Sequence, residues 1–194
     1  MNRIVIIAGA GDAAGLRMTR DFLKRGDTVI AGLLTGQETA EIPEGVTTVP
    51  IDPLSQPSAK TAAAAVAAKF PHIDLLVVNE CECETLTSIF PDDDRAIRAA
   101  MEELAGAGAG SIAITLGARG SCVYSQGAII ESVPPAVRAV DTTCAGDTYI
   151  GALVAGYARG LTTEEAVALA TKASALATTK VGAQQSIPLL ADLD

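Results

Sequence analysis

Short apolar runs alternate with longer alanine-rich segments along most of this chain, a succession that predicts strands and helices in turn. Arg3–Ala8 reads as a strand, followed by a glycine turn through Gly9, Gly11 and Gly15 and a helix that Asp21–Gly26 closes. Thr28–Leu34 and Val46–Ile51 give two more strands, Ser58–Phe70 an alanine-rich helix, and Ile73–Val78 a fourth strand. A short helix over Glu84–Ile89 and a longer one over Asp93–Ala105 lead to a strand at Ser111–Leu116. Ser121–Ser125 and Ala128–Val133 form a hairpin through Gln126-Gly127. Helices follow at Ala145–Arg159, stopped by Gly160, and at Thr163–Lys180, opened by Thr162 with Glu165 as a capping box. The pattern predicts an α/β fold: a single-domain, three-layer Rossmann-like open sheet, mainly parallel with an antiparallel edge hairpin. Its ligand crevice lies outside the carboxyl ends of the strands.

Composition sharpens this picture in a few places. At 194 residues and 49% hydrophobic content with few aromatics, the chain can bury one compact core of Ala, Val, Leu and Ile. No internal repeat, long linker or low-complexity tract divides it. A net charge of −9 argues against nucleic acid, which needs a basic footprint. Asp92-Asp93-Asp94 reads as a solvated acidic helix start rather than a metal site. Cys81, Cys83, Cys122 and Cys144 form no Cys-x-x-Cys pair, so reduced thiols in a cytoplasmic setting are expected. His72 follows Pro71 in a turn and reads as a surface residue. No signal peptide is visible, and Ala62–Ala68 is too short to span a bilayer, so no membrane partner is expected.

The densest chemistry lies in Asp141-Thr-Thr-Cys-Ala-Gly-Asp147, which places a carboxylate behind small residues at the start of an apolar helix. Free N–H groups at a helix N-terminus attract phosphate oxygens, and Ala145 and Gly146 leave the main chain open to approach. There Asp147 suits a base toward a substrate hydroxyl while the amides stabilise charge on a transferring group. The same carboxylate would also satisfy an ordinary helix start.

Three further segments accompany it. With Asn79-Glu-Cys-Glu82, Thr115-Leu-Gly-Ala-Arg-Gly120 and Gly182-Ala-Gln-Gln-Ser186, the chain from Asn79 to Pro188 resembles the ribokinase-like (PfkB) carbohydrate kinases. That resemblance implies Asp147 as catalytic base and the amides of Cys144, Ala145 and Gly146 as an anion hole. It puts Glu82 in contact with magnesium through its water shell, and Asn79, Thr115 and Gly117 near the triphosphate of ATP. Main-chain oxygens of Asp141, Thr143, Ala177, Lys180 and Gly182, with the Ser186 side chain, correspond to monovalent-cation ligands. Cys144 is a departure, since many members carry Gly there.

The first 79 residues lack that family's Gly-Gly sugar site, substrate-binding Asp and β lid. They resemble instead the N-terminal half of a short-chain dehydrogenase/reductase, with Ile51-Asp52 matching its Asp after the third strand and Ile73–Asn79 its fourth strand. The resemblance is incomplete. Ala13 stands at the middle glycine of the turn, Leu33 falls where a ribose hydroxyl needs a polar partner, and no Tyr-x-x-x-Lys is present. NAD(P) is therefore a weaker expectation than ATP, and the glycines also serve a tight strand-to-helix connection.

Asn79 thus marks a seam within a single domain of residues 1–194, between a Rossmann-like half (1–78) and a ribokinase-like half (79–194). The main expectation is an engineered chimera without physiological activity that keeps an ATP/ADP site. The alternative is a reduced PfkB-type ATP-dependent carbohydrate kinase, and a second alternative is an NAD(P)-binding module without dehydrogenase activity. An uncovered sheet edge or face would favour a homodimer.

Overall fold

The computed structural model describes residues 4–8, 13–34, 41–50, 52, 55–70 and 73–193. They fall into two compact units, Met1–His72 and Ile73–Asp194.

In the first unit, β1 (Ile4–Ala8), β2 (Thr28–Leu33) and β3 (Thr47–Pro50) pair in parallel in that order. The side-chain alternation of β2 divides its core. Val29, Ala31 and Leu33 pack against Phe22 and Leu23 of α1 (Ala13–Lys24), whereas Ile30 joins Val49, Ala62 and Val66 toward α2 (Gln56–Ala67). Gly26 ends α1 at φ 83°, a left-handed conformation that glycine adopts without a Cβ penalty. The α2 helix starts earlier than the Ser58 expected, because Ser55 caps it and Pro57 sits in its first turn.

Gly15 lies inside α1 rather than in the turn before it. Gly9, Gly11 and His72 lie outside the described residues. Leu33 is buried in the apolar cluster of this unit, so the ribose-holding position of a dinucleotide site is occupied by core.

In the second unit, β4 (Ile73–Asn79) pairs in parallel with β5 (Ala109–Thr115). β5 then pairs antiparallel with β6 (Ser121–Ser125), which continues into β7 (Ala128–Ser132). Gln126 at φ 51° and Gly127 at φ 84° close that hairpin as the two-residue turn requires. Helices cover both faces of these strands. Ile112 and Ile114 of β5 face Ile97, Met101 and Leu104 of α4 (Asp94–Gly106), with Cys83 of α3 (Glu80–Thr87) in the same cluster. Ala113, between them in sequence, faces Tyr149 and Leu153 of α5 (Ala145–Ala158) and Val167 and Ala170 of α6 (Thr163–Ala177). The two last helices pack closely because Gly156 meets Ala166, where a Cβ would come within 2.9 Å of the alanine methyl.

The α/β class, the mainly parallel strands and the antiparallel hairpin are those expected from the sequence. α3 is the clearest difference. It begins at Glu80 rather than Glu84, since Asn79 caps it: Asn79 Oδ1 accepts from Glu82 N and Glu82 Oε2 from Asn79 N, both at 2.9 Å. In the acidic run, Asp93 caps α4 by accepting from Ala96 N at 2.7 Å, the helix-start role expected of it.

Candidate active site

The carboxyl ends of β4 and β5 bring the first two motif residues together, for Asn79 and Thr115 are register partners at the last rung of that parallel ladder. Past Thr115 the chain makes a single 3-10 turn, Gly117–Arg119, with Gly117 at φ 55° and Gly120 at φ 97°. Gly120 has no room for a side chain. A Cβ there would collide with the Ser132 carbonyl oxygen and come within 2.9 Å of Pro134 Cδ.

This turn forms one wall of a cavity of about 410 Å³, within the size range of small-ligand sites. Thr115, Gly117, Ala118 and Gly120 face Ala145, Gly146 and Tyr149 of α5, and Pro134–Val137 supply an apolar wall. Thr171, Ser174 and Ala175 of α6, with Thr178 at its C-cap, complete the lining. A Cβ added at Gly146 would meet nothing within 4 Å, so this glycine leaves open space in front of the start of α5. The first amides of a helix have no intrahelical acceptor, which makes this end an anion-attracting wall.

Asp147 stands in the first turn of α5, one residue beyond the cavity wall, and is exposed. The Cys144 thiol donates to Asp147 Oδ2 at 3.3 Å, and this bond, with burial and the carboxylate's charge, pushes the thiol pKa up. Cys144 itself sits at φ 67°, which gives a physical reason for the glycine that many ribokinase-like kinases carry there. Of the three amides expected in an anion hole, that of Ala145 donates to Thr142 O at 3.2 Å.

The expected cation-site segments are adjacent. Asp141 accepts from Thr143 N and from Gly182 N, each at 2.9 Å, while the amides of Val140 and Asp141 donate to Thr178 O at 2.7 and 3.1 Å. Bonds from the Thr143 side chain and the Gly182 and Thr143 amides draw the Asp141 carboxyl down to about 2. Its side chain therefore ties two loops together, a role absent from the expectation, which used only its main-chain oxygen. Lys180 N donates to Ala177 O at 3.4 Å, and Ser186, fully buried, donates to Ala183 O at 2.6 Å. Hydrogen bonds thus hold the loops that carry the expected cation ligands side by side. Among the described residues, no group of three or more His, Cys, Asp or Glu side chains could hold a metal ion. Magnesium in this setting would rely on few carboxylates and on ligand phosphates, which is its usual coordination.

Sequence reasoning missed the Pro134–Val137 wall, the α6 hydroxyls and Arg119. The first had a signal in Pro134-Pro135, which cannot continue a ladder after β7. The hydroxyls are themselves bonded: Ser174 donates to Ala145 O at 2.9 Å, and Thr178 to Ala175 O at 2.7 Å.

Comparison with known proteins fits this geometry. The chain matches the pfkB family of carbohydrate kinases over residues 36–190, most of its length, and it belongs to that family. It is similar to the ribokinase of Haemophilus influenzae, 37% identical over 118 residues that cover 60% of this chain and 38% of that protein. It is also similar to the ribokinase of Staphylococcus aureus, 36% identical over 125 residues, 63% of this chain and 40% of that one. The aligned part is thus about two fifths of each relative's length. Among solved structures, Arabidopsis thaliana ribokinase complexed with ribose and ATP superposes with a TM-score of 0.63 at 24% identity, covering 98% of this chain and 54% of that one.

The family match begins at residue 36, well before Asn79, so the kinase relationship crosses the seam at which the motifs change over. The comparisons give the short-chain dehydrogenase segment and the engineered chimera no support. They favour the alternative reading to the extent of a PfkB-family relationship over residues 36–190. No helix among the described residues is long and apolar enough to cross a membrane.

Proposed function

We propose that this chain belongs to an ATP-dependent carbohydrate kinase, which transfers the γ-phosphoryl group to an alcohol of a small sugar. The observation that carries the reading is the single cavity whose walls unite the Thr115–Gly120 turn with Ala145 and Gly146 at the start of α5, immediately before Asp147.

Asp147 takes the proton of the acceptor hydroxyl as its oxygen bonds to the γ-phosphorus and the bond to the bridging oxygen of ADP breaks. The open helix start at Gly146, with the amide of Cys144 beside it, faces the charge on the transferring group, while the Ala145 amide, bonded to Thr142 O, holds the loop that precedes it. Thr115, Gly117 and Asn79 hold the phosphate chain. Glu82 would hold magnesium through its water shell, and the metal supplies charge neutralisation on the phosphates. The loops around Asp141, Thr143, Ala177, Lys180, Gly182 and Ser186 would hold a monovalent cation that favours this anion-binding arrangement. Thr142, Cys144 and Asp147 are polar and exposed or half-exposed, so a sugar hydroxyl can reach the carboxylate from solvent.

Incubation with ATP–Mg²⁺ and a panel of pentoses and hexoses tests this. A phosphate ester is expected on one of them, and Asp147→Asn lowers turnover by about 10²–10⁴-fold with ATP affinity unchanged. A protein that binds ATP but phosphorylates no sugar in the panel contradicts the assignment.

A further inference from the structure

The Gly117–Arg119 turn joins β5 to β6 and is closed at its base by the Thr115–Ser121 pair of their antiparallel ladder. Within it, Arg119 N donates to Leu116 O at 3.0 Å, Gly120 N to Gly117 O at 3.1 Å and Leu116 N to Gly120 O at 2.8 Å. Both glycines adopt left-handed φ, and glycine loses more freedom on ordering than other residues. Yet this turn must keep a fixed distance from the Asn79–Glu82 segment if both are to meet one phosphate chain.

Beyond the Asn79–Thr115 register pair, one side chain ties the tip of the turn to that segment. The Arg119 guanidinium donates to Pro91 O at 2.7 Å and to Asp92 O at 2.8 Å, and pairs with Glu80 Oε1 at 3.3 Å. Glu80 is the first residue of α3, directly after the capping Asn79, and Pro91 is buried just ahead of the Asp93 cap of α4. Three segments therefore converge on one planar fork. The side chains of Arg119 and Glu80 are 43% and 30% exposed, so their ion pair alone contributes little. The two carbonyl bonds are charge-assisted and directional, and an ammonium on a flexible stem cannot reproduce the fork.

We propose that Arg119 is a positioning residue that locks the Gly117–Gly120 turn to the Asn79–Glu82 segment, so that the two grip the same nucleotide phosphates in register. This rests on the kinase reading above. Arg119 acts through the turn and touches neither nucleotide nor sugar. Its removal therefore weakens ligands that need both segments and spares ligands that need only the cavity wall.

The test uses the full-length chain as wild type, Arg119→Ala, Arg119→Lys and Glu80→Gln. Amide hydrogen exchange without ligand reports the lock, and titration with ATP–Mg²⁺ and with AMP reports its consequence. In Arg119→Ala, residues 117–120 and 80–82 exchange faster together, while ATP affinity falls about tenfold and AMP affinity stays within about twofold. Arg119→Lys fails to restore either readout, and Glu80→Gln has a smaller effect than both. Unchanged exchange at residues 80–82, an equal loss for ATP and AMP, or full rescue by lysine overturns the inference. If Arg119→Ala does not fold, the lysine and Glu80 variants decide by the same two readouts. Wild type that binds no nucleotide overturns the kinase reading itself, and the exchange arm still decides whether the lock exists.

Discussion

At the scale of single residues, Cys144 and Asp141 show how side chains at the start of α5 differ from what sequence suggests. Cys144 holds a left-handed backbone that costs an ordinary residue about 1 kcal/mol, so Cys144→Gly is expected to stabilise the fold by up to about that amount in chemical denaturation. The same change removes the thiol bond to Asp147. Asp141 gives a pH signature. Its carboxyl titrates at about 2 rather than 3.8, so the stability it contributes is fully present above pH 3.8 and lost as pH falls through about 2. Acid denaturation of Asp141→Asn should lack that component. Cys122 acts on the alkaline side: burial first, then the nearby Glu131 charge, lift its thiol to about 11 from 9.0. Its raised value means stability present below pH 9.0 and lost as pH climbs toward 11, a loss absent from Cys122→Ala.

At the scale of elements, local signals were legible where one residue decides the outcome. Gln126-Gly127 closes the hairpin, Gly160 stops α5 at φ 80°, and Thr162 with Glu165 opens α6 as a capping box at 3.3 and 2.8 Å. Thr162→Ala should cost about 1 kcal/mol of stability, measurable by urea denaturation. The start of α3 was misplaced because Asn79 and Glu82 read as a ligand motif, although the same two residues form a capping box. The two roles are compatible, since a cap fixes the backbone from which the motif is presented. Gly120 was legible as part of a turn but not as an obligatory glycine, because the Ser132 carbonyl that excludes a side chain comes from another strand. Gly120→Ala combines left-handed φ with that overlap and is expected to destabilise by about 3 kcal/mol or more in thermal unfolding.

At the scale of the whole molecule, the α/β class was readable from alternating apolar and alanine-rich runs, because within each unit the strands bury their faces under helices. What the sequence could not convey was convergence. Asn79 meets Thr115 through strand register, Arg119 reaches Pro91 and Asp92, and Asp141 bonds Gly182 across more than forty positions. None of these pairings leaves a local periodic trace. The seam at Asn79 was legible as a change of motif, yet the family relationship runs through it from residue 36.

On the proposed reading, the cavity between the Gly117 turn and the start of α5 is a nucleotide site. Isothermal titration with ATP–Mg²⁺ in potassium buffer, for wild type and Gly146→Trp, tests it most directly. The open space in front of Gly146 lets the fold accept the larger side chain while the indole occupies the cavity. Saturable heat in the wild type, lost in a Gly146→Trp variant that still unfolds cooperatively, is the predicted result. No heat from folded wild type, or equal affinity in both proteins, would contradict the account.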